Sequence, residues 1–147
     1  MAVIDFGGTK EEVIMREEFP MKKARRVLRD ETIAVIGYGV QGPGQSLNLK
    51  DNGFRVIVGQ SKKFPEDWDR AVRDGWKPGI DLFEIEEAVR RGTIIELLVA
   101  DAAHRAVWPL IKKNMKPGNA LFFSHGFSIV YKDQTKVIPP DNMDVIM

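Results

Sequence analysis

The run "GYGVQGPG" at residues 37–44 fits the pattern G-x-G-x-x-G through Gly37, Gly39 and Gly42. It follows the apolar run "TIAVI" and precedes "QSLNLKDNG", a helical pattern that ends at Asn52-Gly53. In that context the first glycine turns the chain, the second lets a diphosphate approach the backbone, and the third lets helix and strand pack closely. Backbone N–H groups at the helix start would hold the phosphates. The sequence therefore predicts a dinucleotide site, against the alternative of a merely tight turn.

The end of the next apolar run, "FRVIVG", is expected to decide between the two nicotinamide cofactors. An NAD site carries Asp or Glu there, which accepts hydrogen bonds from the ribose 2′-hydroxyl. This chain has Gln60, Ser61, Lys62 and Lys63 instead, with no acidic residue before Glu66. Because a hydroxyl and two ammonium groups favour a 2′-phosphate, we predict NADP, bound by Ser61 and Lys62. The alternative is that the lysines belong only to a solvated loop.

Strands and helices must alternate along the chain to position these residues. Strands are expected in "TIAVIG", "FRVIVG", "TIIELLVA", "NALFFSHGF" and "DVIM", and helices in "PMKKARRVLRD", "GPGQSLNLKDNG", "PEDWDRAVRDG", "DLFEIEEAVRRG" and "DAAHRAVWPLIKKNMKPG". This alternation predicts an α/β fold with a three-layer, doubly wound, Rossmann-like parallel sheet in a single domain. Residues 1–30 are expected to form an N-terminal extension with a short helix, and residues 31–147 the Rossmann domain.

The composition is that of a globular chain without a strongly charged surface. The chain has 147 residues, and its formal charge of +1 comes from 22 basic and 21 acidic residues. Because that balance creates no global positive field, no nucleic-acid partner is expected. No apolar run reaches the length of a membrane span and the first residues lack a signal-peptide pattern, so no membrane partner is expected. The absence of cysteine suits a reducing compartment and predicts a cytoplasmic protein.

Four segments, taken in order, resemble motifs of ketol-acid reductoisomerase: "FGGTKEEVIMREEFP", "ETIAVIGYGVQGPGQSLNLKDNGFRVIVGQ", "DAAHRAVWP" and "FFSHGFSIVYKDQTKVIPPDNMDVI". That family is an NADPH- and magnesium-dependent oxidoreductase of branched-chain amino-acid synthesis. The resemblance covers only its amino-terminal, cofactor-binding domain, and the helical domain with the magnesium ligands would follow Met147. It therefore implies a truncated domain that binds NADP but no magnesium and lacks native turnover. Apolar surface exposed by the missing domain is expected to favour self-association.

The resemblance also assigns roles to particular residues. The diphosphate would lie against four residues of the glycine-rich run: Tyr38, Gly39, Val40 and Gln41. The nicotinamide half would lie against four residues after a later strand: Asp101, Ala102, Ala103 and His104. His125, in "SHGF" at the carboxyl end of a strand, would be the histidine of the catalytic site.

Several residues depart from the family pattern. The family usually has Arg where Ser61 stands, Gln at position 104, and an uncharged residue in place of Glu96. Ser128 replaces a glycine, and the lysine- and glycine-rich segment expected after "DVI" is missing. The change at Ser61 weakens the case for a bound 2′-phosphate.

The polar departures suggest a second function. Glu96 lies mid-strand among apolar residues, where a carboxylate needs a partner, and distances along strand and helix bring His104 within reach. Such a pair is two-thirds of a Ser-His-acid site, and the nucleophile is left open among the serines at positions 46, 61, 124 and 128. Of these, Ser46 would also have free backbone amides close by. The alternative function is an ester hydrolase engineered on a reductoisomerase scaffold. Two further readings stay open: a pairing of Glu96 with Arg105, and a non-catalytic interaction module.

Overall fold

The first 30 residues form a small unit of their own in the computed structural model, which describes residues 1–147. Its elements are strands β1 (Ala2–Asp5) and β2 (Lys10–Val13), a 3₁₀ helix (Arg16–Glu18) and helix α1 (Met21–Val27). The two strands pair antiparallel, and Gly7 and Gly8 adopt positive φ in the turn between them. Helix α1 corresponds to the short basic helix predicted from the sequence, whereas the hairpin β1–β2 was not predicted.

Residues Glu31–Met147 form the second unit, in which strands and helices alternate. Its strands are β3 (Ile33–Ile36), β4 (Val56–Gly59), β5 (Leu82–Phe83), β6 (Ile94–Leu97), β7 (Ala120–Phe123) and β8 (Asp144–Ile146). Its helices are α2 (Gln41–Asp51), α3 (Pro65–Arg73), α4 (Ile85–Arg91), α5 (Asp101–Asn114), α6 (Phe127–Val130) and α7 (Lys132–Thr135).

The six strands of the second unit form one parallel sheet in the order β5-β4-β3-β6-β7-β8. Numbered from the first strand of the sheet, this is the order 3-2-1-4-5-6 of a doubly wound, dinucleotide-binding fold. The order reverses between β3 and β6, which pair in register from Ile33↔Ile94 to Ile36↔Leu97. The predicted α/β, Rossmann-like parallel sheet is confirmed.

Two apolar cores lie on opposite faces of this sheet because side chains alternate along each strand. In β6, Ile95 and Leu97 pack with Trp108 and Ile111 of α5. On the other face, Ile94 and Leu98 belong to a cluster that also contains leucines of α2 and Ala71 of α3. Helices α4 and α5 therefore cover one face, and helices α2 and α3 cover the other.

The structure changes one predicted helix start and adds two short helices. The helix expected to begin at Asp81 begins at Ile85, because the apolar pair Leu82–Phe83 is buried as a short edge strand beside β4. Helix α5 contains Pro109 at an exposed position, where water can solvate the carbonyl that loses its N–H partner. The segment after β7 forms the short helices α6 and α7, whose residues show no helical periodicity in the sequence.

Candidate dinucleotide site

A cavity of about 700 Å³ lies at the carboxyl ends of the strands, beside the point where the strand order reverses. Open α/β sheets bind their ligands at this place, and the volume falls in the range of small-molecule sites. Nine of the twelve residues predicted to bind cofactor line it: Gly37, Tyr38, Gly39, Val40, Gln41, Ser61, Asp101, Ala103 and His104. Gly42, Lys62 and Ala102 do not line it.

The glycine-rich loop between β3 and α2 has space for a ligand only at its middle glycine. Gly37 has φ 103°, and a Cβ there would lie 2.8 Å from the backbone nitrogen of Val99. A Cβ at Gly42 would overlap the carbonyl oxygen of Gly37. A Cβ at Gly39, by contrast, would meet no atom within 4 Å. Gly37 and Gly42 therefore allow close packing of the chain, and Gly39 leaves its backbone open to the cavity.

The backbone N–H groups of Gly39, Val40 and Gln41 have no hydrogen-bond partner within the protein. They lie at the start of α2, where the helix dipole is positive, and the Val40 side chain is 93% exposed rather than filling the bend. An anion in the cavity can therefore accept hydrogen bonds from these groups. The open, amide-lined bend expected from the sequence is present.

Tyr38 supports this loop from beneath. Its buried hydroxyl donates to Asp74 Oδ2 and accepts from Trp76 Nε1, both at 2.9 Å, and its backbone N–H donates to Gln60 Oε1 at 2.8 Å. Burial, and then the hydrogen bond to Asp74, raise the pKa of Tyr38 to about 12, so the phenol stays neutral. Because both donors are engaged inside the protein, Tyr38 has none left for a diphosphate.

A carboxylate that was not predicted from the sequence, that of Asp67, faces the cavity near the end of β4. Asp67, in the first turn of α3, lines the cavity together with Ser61 and Phe64. The ammonium group of Lys62 instead lies 5.0 Å from the Trp68 ring centroid. Asp67 lies several positions beyond the end of β4 along the chain. The turn into α3 nevertheless brings it back to the cavity, at the carboxyl end of that strand.

Residues 101–104 form the first turn of α5 rather than a loop. His104 is 2% exposed, its Nε2 lies 2.9 Å from the Val99 carbonyl oxygen, and its Nδ1 lies 2.5 Å from Ser128 Oγ. Burial lowers the pKa of His104, so the ring is neutral near pH 7. A carbonyl only accepts, so the proton is on Nε2, and Nδ1 accepts from the Ser128 hydroxyl.

The predicted pairing of Glu96 with His104 is wrong because the two side chains are on opposite faces of the sheet. Glu96 alternates with Ile95 and Leu97, which face α5, and so lies on the α2 face. Glu96 is 8% exposed, and its Oε2 is buried with no hydrogen-bond partner. Burial raises the pKa of Glu96 to about 7, the response expected of an unpaired buried carboxyl.

Ser46 does not meet His104 either. It lies on α2, fully buried, and its hydroxyl is within 3.4 Å of the Pro43 carbonyl oxygen. The serine that meets His104 is Ser128, which is also fully buried and so closed to a substrate. The structure therefore assembles no Ser-His-Glu site, and the His104–Ser128 contact instead joins α5 to α6.

His125 lies beyond the end of β7, lines the cavity and is exposed. Its Nδ1 accepts the backbone N–H of Phe127 at 3.1 Å and is 3.9 Å from Asp101 Oδ2. In the neutral ring the proton is therefore on Nε2, which leaves one free donor on the exposed edge. No group of three or more His, Cys, Asp or Glu side chains converges anywhere in the chain, so its own residues offer no ligand set for a metal ion.

The strand order, the glycine-rich turn and the free amides define a dinucleotide-binding domain of the Rossmann class. Residues 27–147 match the family model described as the NADPH-binding domain of acetohydroxy acid isomeroreductase. The chain belongs to this family, ketol-acid reductoisomerase, and corresponds to its amino-terminal, cofactor-binding domain.

Three proteins named as ketol-acid reductoisomerases are similar to this chain. The "Ketol-acid reductoisomerase (NAD(+))" of Desulfosudis oleivorans is 58% identical over the whole chain, which covers 42% of that protein. The "Probable ketol-acid reductoisomerase, mitochondrial" of Schizosaccharomyces pombe is 48% identical over the whole chain and is covered to 36%. An NADH-preferring ketol-acid reductoisomerase from an uncultured archaeon superposes with a TM-score of 0.79 at 34% identity, over 92% of this chain and 40% of that one.

The chain thus spans about two fifths of the length of these relatives. The family match gives no support to an engineered hydrolase, in agreement with the separation of His104 from both Glu96 and Ser46. None of the helices is long and apolar enough to cross a membrane.

Proposed function

We propose that this chain binds a nicotinamide dinucleotide, as the cofactor-binding domain of a ketol-acid reductoisomerase. The free N–H groups of Gly39, Val40 and Gln41, open to the cavity at the sheet's switch point, carry this proposal. Titration of the chain with NADH or NADPH is expected to give a saturable change in cofactor fluorescence. A chain that binds neither cofactor, nor ADP, at millimolar concentration would contradict it.

The part of the cavity lined by Ser61 and Asp67 is where the adenosine ribose is expected to lie. The charges there favour NAD(H) over the predicted NADP(H). A carboxylate, Asp67, lines the cavity, where it can accept hydrogen bonds from a ribose diol and would repel a 2′-phosphate. Lys62, the cation on which the NADP prediction depended, stacks on Trp68 and does not line the cavity. The NAD(+) and NADH-preferring names of two similar proteins agree with this preference.

Replacing Asp67 with Ser is expected to weaken NADH binding about tenfold and to strengthen NADPH binding, because the change removes both an acceptor and a repulsive charge. Dissociation constants from cofactor fluorescence measure the effect. Asp69→Ser is the matched control, since Asp69 is an exposed acid of the same helix outside the cavity. Tighter binding of NADPH than of NADH by the unmodified chain would contradict the preference and restore NADP.

We propose that His125 donates a hydrogen bond from Nε2 to the reacting substrate or to the nicotinamide carboxamide. Its exposure and its engaged Nδ1 support this role. A dinucleotide, when bound, would supply hydride chemistry. His104 would position the start of α5 beside it through its contacts with Val99 and Ser128. His104 has no free ring nitrogen with which to transfer a proton.

Three further expectations remain proposals. We propose that residues 1–147 bind no magnesium by themselves, since no group of three or more His, Asp or Glu side chains converges in the chain. Cytoplasmic location remains a prediction, and three fungal relatives carry the name mitochondrial. Self-association is proposed to involve exposed apolar side chains near the carboxyl end, among them Val130, Ile138 and Ile146. Sedimentation of the chain over a concentration series tests this.

A further inference from the structure

We infer that Arg70, on α3, is a positioning residue for the diphosphate loop. This inference rests on the proposed dinucleotide binding. Arg70 does not line the cavity, yet its guanidinium donates from Nη1 to the carbonyl oxygen of Gly39 at 3.1 Å. Gly39 is the loop residue whose backbone is open to a ligand. The guanidinium of Arg70, on the neighbouring helix α3, thus holds the peptide group between Gly39 and Val40.

The hydrogen bond to Gly39 fixes a peptide plane. Every peptide bond of the chain is trans, so the carbonyl of residue 39 and the N–H of Val40 point in opposite directions. With the carbonyl turned toward Arg70, the Val40 N–H points away from α3, and it has no partner within the protein. Arg70 therefore presents a free N–H donor at the position where the diphosphate would bind.

The peptide between residues 37 and 38, at the start of the loop, is fixed by other groups of the protein. The N–H of Tyr38 donates to Gln60 Oε1, and the carbonyl of Gly37 lies against Gly42 at the start of α2. The plane between residues 37 and 38 is thereby set by buried groups. The carbonyl of the 39–40 peptide has Arg70 as its hydrogen-bond donor, and neighbouring side chains give it little support, because a Cβ at Gly39 would meet no atom within 4 Å and Val40 is 93% exposed. Glycine has little intrinsic preference among backbone conformations, so this peptide needs an external hydrogen bond.

Arg70 is itself held in place. Its Nε lies 4.0 Å from Asp74 Oδ2, the carboxylate that also accepts the Tyr38 hydroxyl. The side chain is 48% exposed, so its removal leaves no buried cavity. Loss of Arg70 is therefore expected to free the 39–40 peptide without unfolding the domain.

The test compares Arg70→Met with Arg73→Met, which removes the same charge from the same helix at an exposed residue without a contact to the loop. ADP and adenosine are titrated calorimetrically against each variant and the unmodified chain. Arg70→Met is expected to raise the dissociation constant of ADP about tenfold and to leave adenosine unchanged, whereas Arg73→Met changes ADP binding by less than about threefold. In about 0.5 M salt the tenfold effect is expected to persist, because screening weakens distant charge attraction but not a held peptide plane.

Equal effects of the two substitutions on ADP, or an equal loss of adenosine and ADP binding in Arg70→Met, would overturn the inference. An effect of Arg70→Met that vanishes in high salt would overturn it too, since that result indicates attraction at a distance. If the unmodified chain binds ADP normally, these outcomes leave the proposed function intact. An unmodified chain that binds neither ADP nor NADH removes the proposed function itself.

Discussion

Replacing Glu96 with Gln is expected to stabilise the chain by about 2 to 3 kcal/mol near pH 8 and to leave its stability near pH 4.5 almost unchanged. Glu96 lies in a parallel strand, with Val35 and Phe122 beside it in register. It is 8% exposed, and Oε2 has no hydrogen-bond partner. Ionisation therefore leaves an unpaired charge in an apolar layer, whereas Gln has the same shape and no charge.

The direction of the pH dependence follows from the raised pKa. Burial shifts the pKa of Glu96 from 4.5 to about 7, so between these values the folded chain binds more protons than the unfolded chain. The free energy of unfolding therefore decreases as the pH rises through that window, and the full penalty is present above about pH 7. Urea unfolding of the chain and of Glu96→Gln, at intervals from pH 4.5 to 8.5, measures the difference.

Glu12→Gln is the control, because Glu12 is an exposed strand glutamate. Its substitution is expected to leave the pH dependence of the unmodified chain in place. If the stability difference between the chain and Glu96→Gln is the same at every pH, the carboxyl does not titrate in the window given and the interpretation fails.

Replacing Gly42 with Ala is expected to destabilise the chain by about 2 to 3 kcal/mol and to abolish dinucleotide binding at micromolar cofactor. The added Cβ would overlap the carbonyl oxygen of Gly37 and lie 2.9 Å from its carbonyl carbon. These are backbone atoms at the turn out of β3, so the clash is relieved only if the loop or the first turn of α2 moves. Movement of either element displaces the amides proposed to hold the diphosphate.

Gly44→Ala is the matched control, two residues further along the same helix. A Cβ at Gly44 meets no atom within 4 Å, so this substitution is expected to stabilise the helix by about 0.5 to 1 kcal/mol through the better helix propensity of Ala. Chemical denaturation and NADH titration of both variants measure the contrast. Equal free energies of unfolding for the two variants would show that a Cβ at position 42 is tolerated.

The fold could be predicted from sequence because the central strands β3, β4 and β6 are short β-branched runs, each followed by a helical pattern. The runs "TIAVIG" and "FRVIVG", with the glycine-rich turn between them, specify one β-α-β unit by local signals alone. Strand order then follows from the right-handed crossover and from the doubly wound arrangement. The hairpin β1–β2 gave no comparable signal, because its strands are short, exposed and mostly polar.

The candidate site was only partly predictable because it depends on which face of the sheet each side chain occupies. The distance along strand and helix from Glu96 to His104 was short enough for a contact, but strand alternation places them on opposite faces. That parity could have been taken from the apolar pattern around Glu96. The position of Asp67 could not, since it depends on the path of the chain between β4 and α3.

The contact between Gly37 and Val99 joins two strand ends that are more than sixty residues apart along the chain, since β3 pairs with β6. Closing so large a loop carries an entropic penalty that is offset only when the strands between the two segments have docked. We therefore expect the pocket to be among the last parts of the domain to become complete during refolding. A nucleotide present from the start would then leave the refolding rate unchanged and slow unfolding. Its stabilising effect would therefore be seen almost entirely as a lower unfolding rate.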